Sequence, residues 1–163
     1  MTGHADELTI ERISPDFQDW DGLLALILNA FAYMNGVIDP PSSALALTPE
    51  SLRAKAAQET VFLATNGERL LGCIFVAEKT DHFYVGKLAV DPAAQGKGIG
   101  RRLLETAEQH ARKHGKPAIE LQTRIELTGN HKAFQQLGFQ ETARTAHPGY
   151  SHPTSLTMRK ALA

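Results

Sequence analysis

The run Leu88-Ala-Val-Asp-Pro-Ala-Ala-Gln-Gly-Lys-Gly-Ile-Gly-Arg-Arg-Leu-Leu104 constrains this chain more than any other segment. It begins apolar like a strand, passes through a glycine-rich turn and continues as an amphipathic helix from Ile99. Gly96, Gly98 and Gly100 stand at alternate positions where the helix opens. Glycine lets the backbone approach a ligand closely and take dihedrals that other residues avoid. The first turn of a helix carries unpaired N–H groups and a partial positive charge. A strand feeding such a turn therefore predicts an anion site, above all for a phosphate. Lys97, Arg101 and Arg102 surround it with formal positive charge.

Two phosphate loops do not fit. A nucleoside-triphosphate loop needs Gly-x-x-x-x-Gly-Lys followed by Ser or Thr, and neither Gly98 nor Gly100 is followed by Lys-Ser or Lys-Thr. A dinucleotide fingerprint needs Gly-x-Gly-x-x-Gly early in a strand–helix–strand unit. Here the spacing differs and the segment lies past mid-chain. What remains is Gln95-x-x-Gly98-x-Gly100 behind a strand ending Val90-Asp-Pro92. That pattern resembles the acyl-CoA pyrophosphate loop of the GNAT superfamily of N-acetyltransferases.

Other features bound the reading. A chain of 163 residues predicts one domain, 1–163, with one substantial core. The net charge of −1 argues against a general nucleic-acid binder. Cys73 stands alone in an apolar run, which predicts a buried structural thiol. Residues 1–7 lack a basic region and an apolar run, and 23–34 is too short to span a bilayer. No membrane contact and a cytoplasmic location are the expectations. His110 and His114 are spaced as a helical metal pair, but no third ligand is apparent, so no metal is expected and both should face solvent. Lys113 and Lys116 read as a solvated helix end.

Residues 8–13 alternate as a strand. Ser14-Pro15 reads as the N-cap and first position of a helix whose apolar stripe runs from Phe17 to Phe31. Residues 35–47, with Asp39-Pro-Pro-Ser-Ser43, read as irregular. Thr48-Pro49 opens a helix to about Gln58. Strands are expected at 60–65, 70–79 (after an Asn66-Gly67 turn) and 83–90. A helix at 99–114, a strand at 118–123 and a short helix at 129–137 follow. A last strand pair at 139–146 and 154–160 flanks a turn at 147–150.

This order resembles the GNAT fold over residues 8–162. The resemblance implies an α/β (α+β) domain of mixed type, a central twisted sheet of about seven strands with four flanking helices. It also implies acetyl-CoA as cofactor and direct transfer of acetyl to the amine of a small molecule in a ternary complex. A protein lysine or N-terminus is the alternative acceptor, and a non-catalytic CoA-binding module is the rival reading. The architecture often forms homodimers in the family.

Carried over residue by residue, the pantetheine arm pairs with the strand 87–90, at Leu88, Ala89 and Val90. That strand would splay from its parallel neighbour at 118–123, with Gly86 making either a bulge or a tight contact. The pyrophosphate lies on Gln95, Gly96, Lys97, Gly98, Ile99, Gly100 and Arg101, and Asn130 and Phe134 flank the arm. Asn130 serves equally as a helix N-cap. Many members carry a leaving-group Tyr one helical turn before the Gly-Phe pair, and here that position holds Phe134. His131, His147 and Tyr150 are the replacements, or the thiolate leaves unaided. Glu120 is the candidate base, with a structural salt bridge as its alternative. The acceptor is expected among Phe31, Tyr33, Met34, Asp39 and Ser42 on one side and Tyr84, His147, Tyr150 and His152 on the other.

Overall fold

The computed structural model describes residues 7–162, so the reading of residues 1–7 lies, Glu7 apart, outside the described residues. Strands β1 (Leu8–Arg12), β2 (Thr60–Asn66), β3 (Arg69–Glu78), β4 (Phe83–Val85), β5 (Ala89–Val90), β6 (Ala118–Arg124), β7 (Gln140–Thr145) and β8 (Ser155–Ala161) form one mixed sheet. Their order is β1-β2-β3-β4-β6-β8-β7, with β5 beside β3. Only β4–β6 is parallel among these pairings. Among the described residues four α-helices flank the sheet: α1 (Trp20–Phe31), α2 (Pro49–Gln58), α3 (Ile99–Lys113) and α4 (Thr128–Gln136). Among the described residues the sheet has eight strands, the run expected at 83–90 being divided in two.

Each face of the sheet has its own core. Leu103, Leu104, Ala107 and Ala111 of α3 pack on Ile74, Val85, Ile119 and Leu121. Leu23, Leu26 and Ile27 of α1 and Leu52 of α2 pack on Val61, Cys73, Phe75 and Ala89. A leucine buried this completely contributes about 1.5–3 kcal/mol, so the helices are held chiefly by these stripes.

The division between β4 and β5 is a β-bulge. Val85 faces Val76 and Ala89 faces Cys73, so four steps along one strand match three along the other. The Gly86 N–H donates to Phe75 O at 2.8 Å inside the bulge. A Cβ on Gly86 would sit 3.8 Å from that oxygen, an ordinary contact, so tight packing is not what places a glycine there. The parallel β4–β6 pairing ends at Val85 and Leu121, although β6 runs on to Arg124.

Some local expectations are corrected. Helix α1 starts at Trp20, capped by Asp19, whose carboxylate accepts the Gly22 N–H at 3.0 Å. The Ser14 hydroxyl instead accepts the Asp16 N–H in a preceding turn. The β2–β3 turn is Gly67-Glu68, one residue later than expected, with Gly67 at φ +64°. Residues 35–47 are not wholly irregular: Ser43–Ala46 forms a 3-10 turn. Helix α2 starts at Thr48-Pro49 as read, with a reciprocal Thr48–Ser51 capping box. His110 does not face solvent. Its ring packs edge-on against Phe62 and Phe83, at centroid distances of 5.6 and 5.0 Å. Lys116 is largely buried and pairs with Glu78 at 3.3 Å, so it is not a solvated helix end.

Candidate active site

Gly98 is the N-cap of α3 at φ +80°, and Gly96 before it has φ +84°. Other residues are strained in this left-handed region. A Cβ at either glycine would meet nothing within 4 Å, so the loop is open on its outer side. No side chain caps the first turn of α3. Open N–H groups at a helix start form a cradle for an anion. Gly100 differs, since a Cβ there would meet Val90 Cγ2 at 3.7 Å, an ordinary contact. The Gln95 amide donates to Val90 O at 3.3 Å and ties the loop to the end of β5. Arg101 pairs with Glu105 at 3.6 Å on an exposed face. Lys97 and Arg102 line a hollow of about 260 Å³ with Arg69 and Ile99.

Beside the loop lies a cleft of about 500 Å³. Its two walls are the bulge, 85–88, and residues 121–124 of β6, of which 122–124 lie beyond the pairing with β4. Asn130 and Phe134 of α4 and His147 of the last hairpin complete one side. The connection after α1 covers the other side and is tied across the cleft. Arg124 donates to Pro40 O at 2.5 Å and Pro41 O at 3.1 Å. Glu126 accepts the Asp39 N–H at 3.1 Å, and Asn130 donates to the Tyr33 hydroxyl at 3.0 Å. Tyr150 donates to the Asp39 carboxylate at 2.6 Å. Residues 33–43 thus form a strap pinned to β6, α4 and the hairpin.

Of the expected acceptor residues, Phe31, Tyr33, Met34, Ser42, Tyr84 and His147 line the cleft. Tyr150 and Asp39 meet behind its lining. Among the cofactor residues, Leu88, Asn130 and Phe134 line it, while Ala89 and Val90 pair with β3 just below the bulge. The candidate base and acid stand elsewhere. The Glu120 carboxylate is held by Arg159 at 2.5 Å and faces His82 at 3.6 Å, outside the lining. His131 Nε2 is 2.8 Å from Arg124 O and is likewise outside it.

Electrostatics separate the remaining groups. Burial, followed by the nearby Glu120 and Glu59 carboxylates, raises the Tyr84 phenol and keeps it a donor. Burial, reinforced by Lys55 and Arg124 and opposed by Glu59, pulls the Lys87 ammonium down. Burial pushes the Cys73 thiol up to about 12, and that thiol donates to Lys87 O at 3.4 Å. Thr123 is among the residues that line the cleft, and its Oγ1 is buried without a hydrogen-bond partner among the described residues. An orphaned buried hydroxyl costs about 1–3 kcal/mol, a cost that a polar ligand group would relieve.

Sequence reasoning missed Lys87, Thr123 and Arg124. Lys87 had a signal, being the single charge within the apolar run Val85-Gly-Lys-Leu-Ala-Val90. Arg124 had none, because its partners are carbonyls of a distant loop.

A mixed sheet opened at one parallel pair, beside a glycine cradle on a helix start, defines an acyl-CoA-type transferase architecture. The chain belongs to the GNAT acetyltransferase family, whose model, described as "Acetyltransferase (GNAT) family", matches residues 26–139. The chain is 32% identical over 158 residues to an IAA acetyltransferase of Azospirillum brasilense, covering 95% of this chain and 98% of that one. The fold is similar to PaiA N-acetyltransferase of Thermoplasma acidophilum, solved in complex with coenzyme A. That match has a TM-score of 0.79 and 17% identity, covering 95% of this chain and 99% of that one. It is also similar to the ribosomal-protein-S18-alanine N-acetyltransferase of Escherichia coli, with a TM-score of 0.73 and 18% identity, covering 96% and 95%.

Proposed function

We propose that residues 1–163 form one acetyltransferase domain that moves an acetyl group from acetyl-CoA to the amine of a small molecule in a ternary complex. The observation that carries this reading is the opening of β4 from β6 beside the uncapped glycine cradle of α3. The two features lie together as a diphosphate and its long amide-bearing tail require. The 96–100 loop would hold the pyrophosphate, and the backbone of 87–90 would pair with the arm. Bound acetyl-CoA supplies a thioester: the acceptor nitrogen forms the C–N bond as the C–S bond breaks, the electron pair stays on sulfur, and the amine proton leaves to the thiolate or water. The N–H groups near Leu88 and Ala89 face the role of stabilising negative charge on the acyl oxygen.

The small-molecule class rests on the strap. Residues 33–43 are bonded to β6, α4 and the hairpin, so the strap roofs the cleft and favours an acceptor small enough to fit beneath it. The named activity of the Azospirillum relative, on IAA, accords with a small acceptor. Phe134 sustains the second reading, CoA binding without transfer, because no hydroxyl stands at the usual Tyr position. Thiol release from acetyl-CoA across a panel of amines decides between them. Amine-dependent release is expected, and calorimetric CoA binding with no release from any amine would favour the binding module.

A further inference from the structure

The charged side chains that line the cleft, among the described residues, are Lys87 and Arg124, both cations; no Asp or Glu lines it. This has a chemical meaning for the acceptor. A cationic amine such as a polyamine needs carboxylates near it, and like charges across a cleft are unfavourable. Arg124 donates two of its five N–H groups to the carbonyls of Pro40 and Pro41, which fixes it against the strap. Lys87 Nζ has one protein partner, the Ser43 hydroxyl of the strap at 3.0 Å. An ammonium has three donors, so Lys87 retains donors for a ligand. Around Lys87 the nearby charges are Lys55, Glu59 and Arg124. Lys55 and Glu59 pair with each other at 2.7 Å, so the balance at Lys87 stays positive. Phe31, Ile38 and Phe134 make the rest of the cleft largely apolar.

Resting on the acetyltransferase reading above, we infer that the acceptor is an amine that also bears a carboxylate, bound by Lys87 and Ser43, with an apolar side chain against Phe31 and Ile38. Lys87 is therefore a specificity-determining residue. Burial pulls its proton affinity down, and a bound carboxylate would favour its charged form. The transfer is the one written above, with the carboxylate unchanged and serving only to orient the amine. The bulge makes this arrangement available, because its extra residue carries Lys87 out of the strand ladder while the Cys73 thiol holds its carbonyl.

The test is thiol release with full-length protein, acetyl-CoA and matched acceptors: phenylalanine, phenylalaninamide and phenethylamine, with leucine and methionine treated likewise. The carboxylate members should be favoured by about tenfold or more in kcat/KM, as for one charge-assisted contact. Lys87→Gln should erase that preference through the acceptor KM, and Lys87→Arg should restore part of it. Equal use of the matched members by the wild type, or preference for those without carboxylate, overturns the carboxylate assignment and leaves acetyl transfer standing. An unchanged preference in Lys87→Gln overturns the role of Lys87. No transfer to any amine of the panel overturns the acetyltransferase reading together with this one.

Discussion

The Tyr150 hydroxyl donates to the Asp39 carboxylate at 2.6 Å, joining the strap to the last hairpin across 111 positions of sequence. The bond to Asp39 also raises the phenol's proton affinity, so Tyr150 remains a donor at neutral pH. Tyr150 thereby touches the strap and is not among the residues that line the cleft. Tyr150→Phe should raise the acceptor KM by about tenfold or less and leave kcat nearly unchanged. Steady-state kinetics with an accepted amine checks this. A kcat loss of about 10²-fold at constant KM would instead make Tyr150 a general acid.

The glycine cradle gives a contrast between neighbours. Gly98→Val places a branched side chain at φ +80°, a conformation costing roughly 1–2 kcal/mol for a side-chain-bearing residue. The space is open, so the fold should survive while CoA affinity falls by about tenfold or more. Gly100→Ala should alter CoA affinity little, since its Cβ makes only an ordinary contact with Val90. Calorimetry on both variants, with circular dichroism for folding, measures the difference.

Thr123→Val exchanges an unpartnered buried hydroxyl for a methyl of similar shape. Thermal stability should hold or rise, because an unsatisfied group is removed. Acetyl-CoA KM should rise several-fold if the bound arm uses that hydroxyl. Stability and KM moving in these opposite senses is the signature; an unchanged KM would make Thr123 a packing residue alone.

How much of this was legible from sequence depended on how local each cause was. The glycine cradle, the Thr48 cap and the stripes of α1 and α3 depend on neighbours within one turn, so residue spacing displays them. Glu120 was read as a base or a salt-bridge partner and is paired with Arg159 of β8, while His131 lies against Arg124 O of β6; neither partner lies within one helical turn, so residue type alone did not name it. The start of α1 was missed because Ser14 and Asp19 both offer a capping oxygen, and only the structure selects between them. The strap's anchors were invisible, since Pro40 and Pro41 contribute backbone carbonyls and not recognisable side chains.

His110 should make stability depend on pH. Burial, followed by the nearby His114 and Arg12 charges, lowers its folded proton affinity. The unfolded imidazole titrates near the ordinary value of about 6.5. The unfolded chain therefore binds a proton first as pH falls through that value, and the native state loses stability below it. Above about pH 7.5 both states are neutral and this dependence vanishes. Melting temperatures at pH 8.0 and 5.5 should differ more for the wild type than for His110→Gln.

Cys73 should resist a maleimide in the native state, since its thiol is fully buried and pushed up to about 12. Labelling should appear only on adding denaturant, in step with unfolding followed by circular dichroism. Rapid native labelling would mean that the bulge region opens.

The extra residue in the bulge also changes the parity of the strand. Val85 points to the α3 core, and in an unbroken strand Ala89, four residues on, would share that face. Ala89 instead packs in the α1 core, and Val90 turns towards α3. A chain shortened by one residue between these points would regain even alternation and extend its pairing onto Gln122–Arg124, filling the gap between the strands with its own backbone. The gap thus rests on one extra residue, and deleting Gly86 should close it without removing any side chain that lines it.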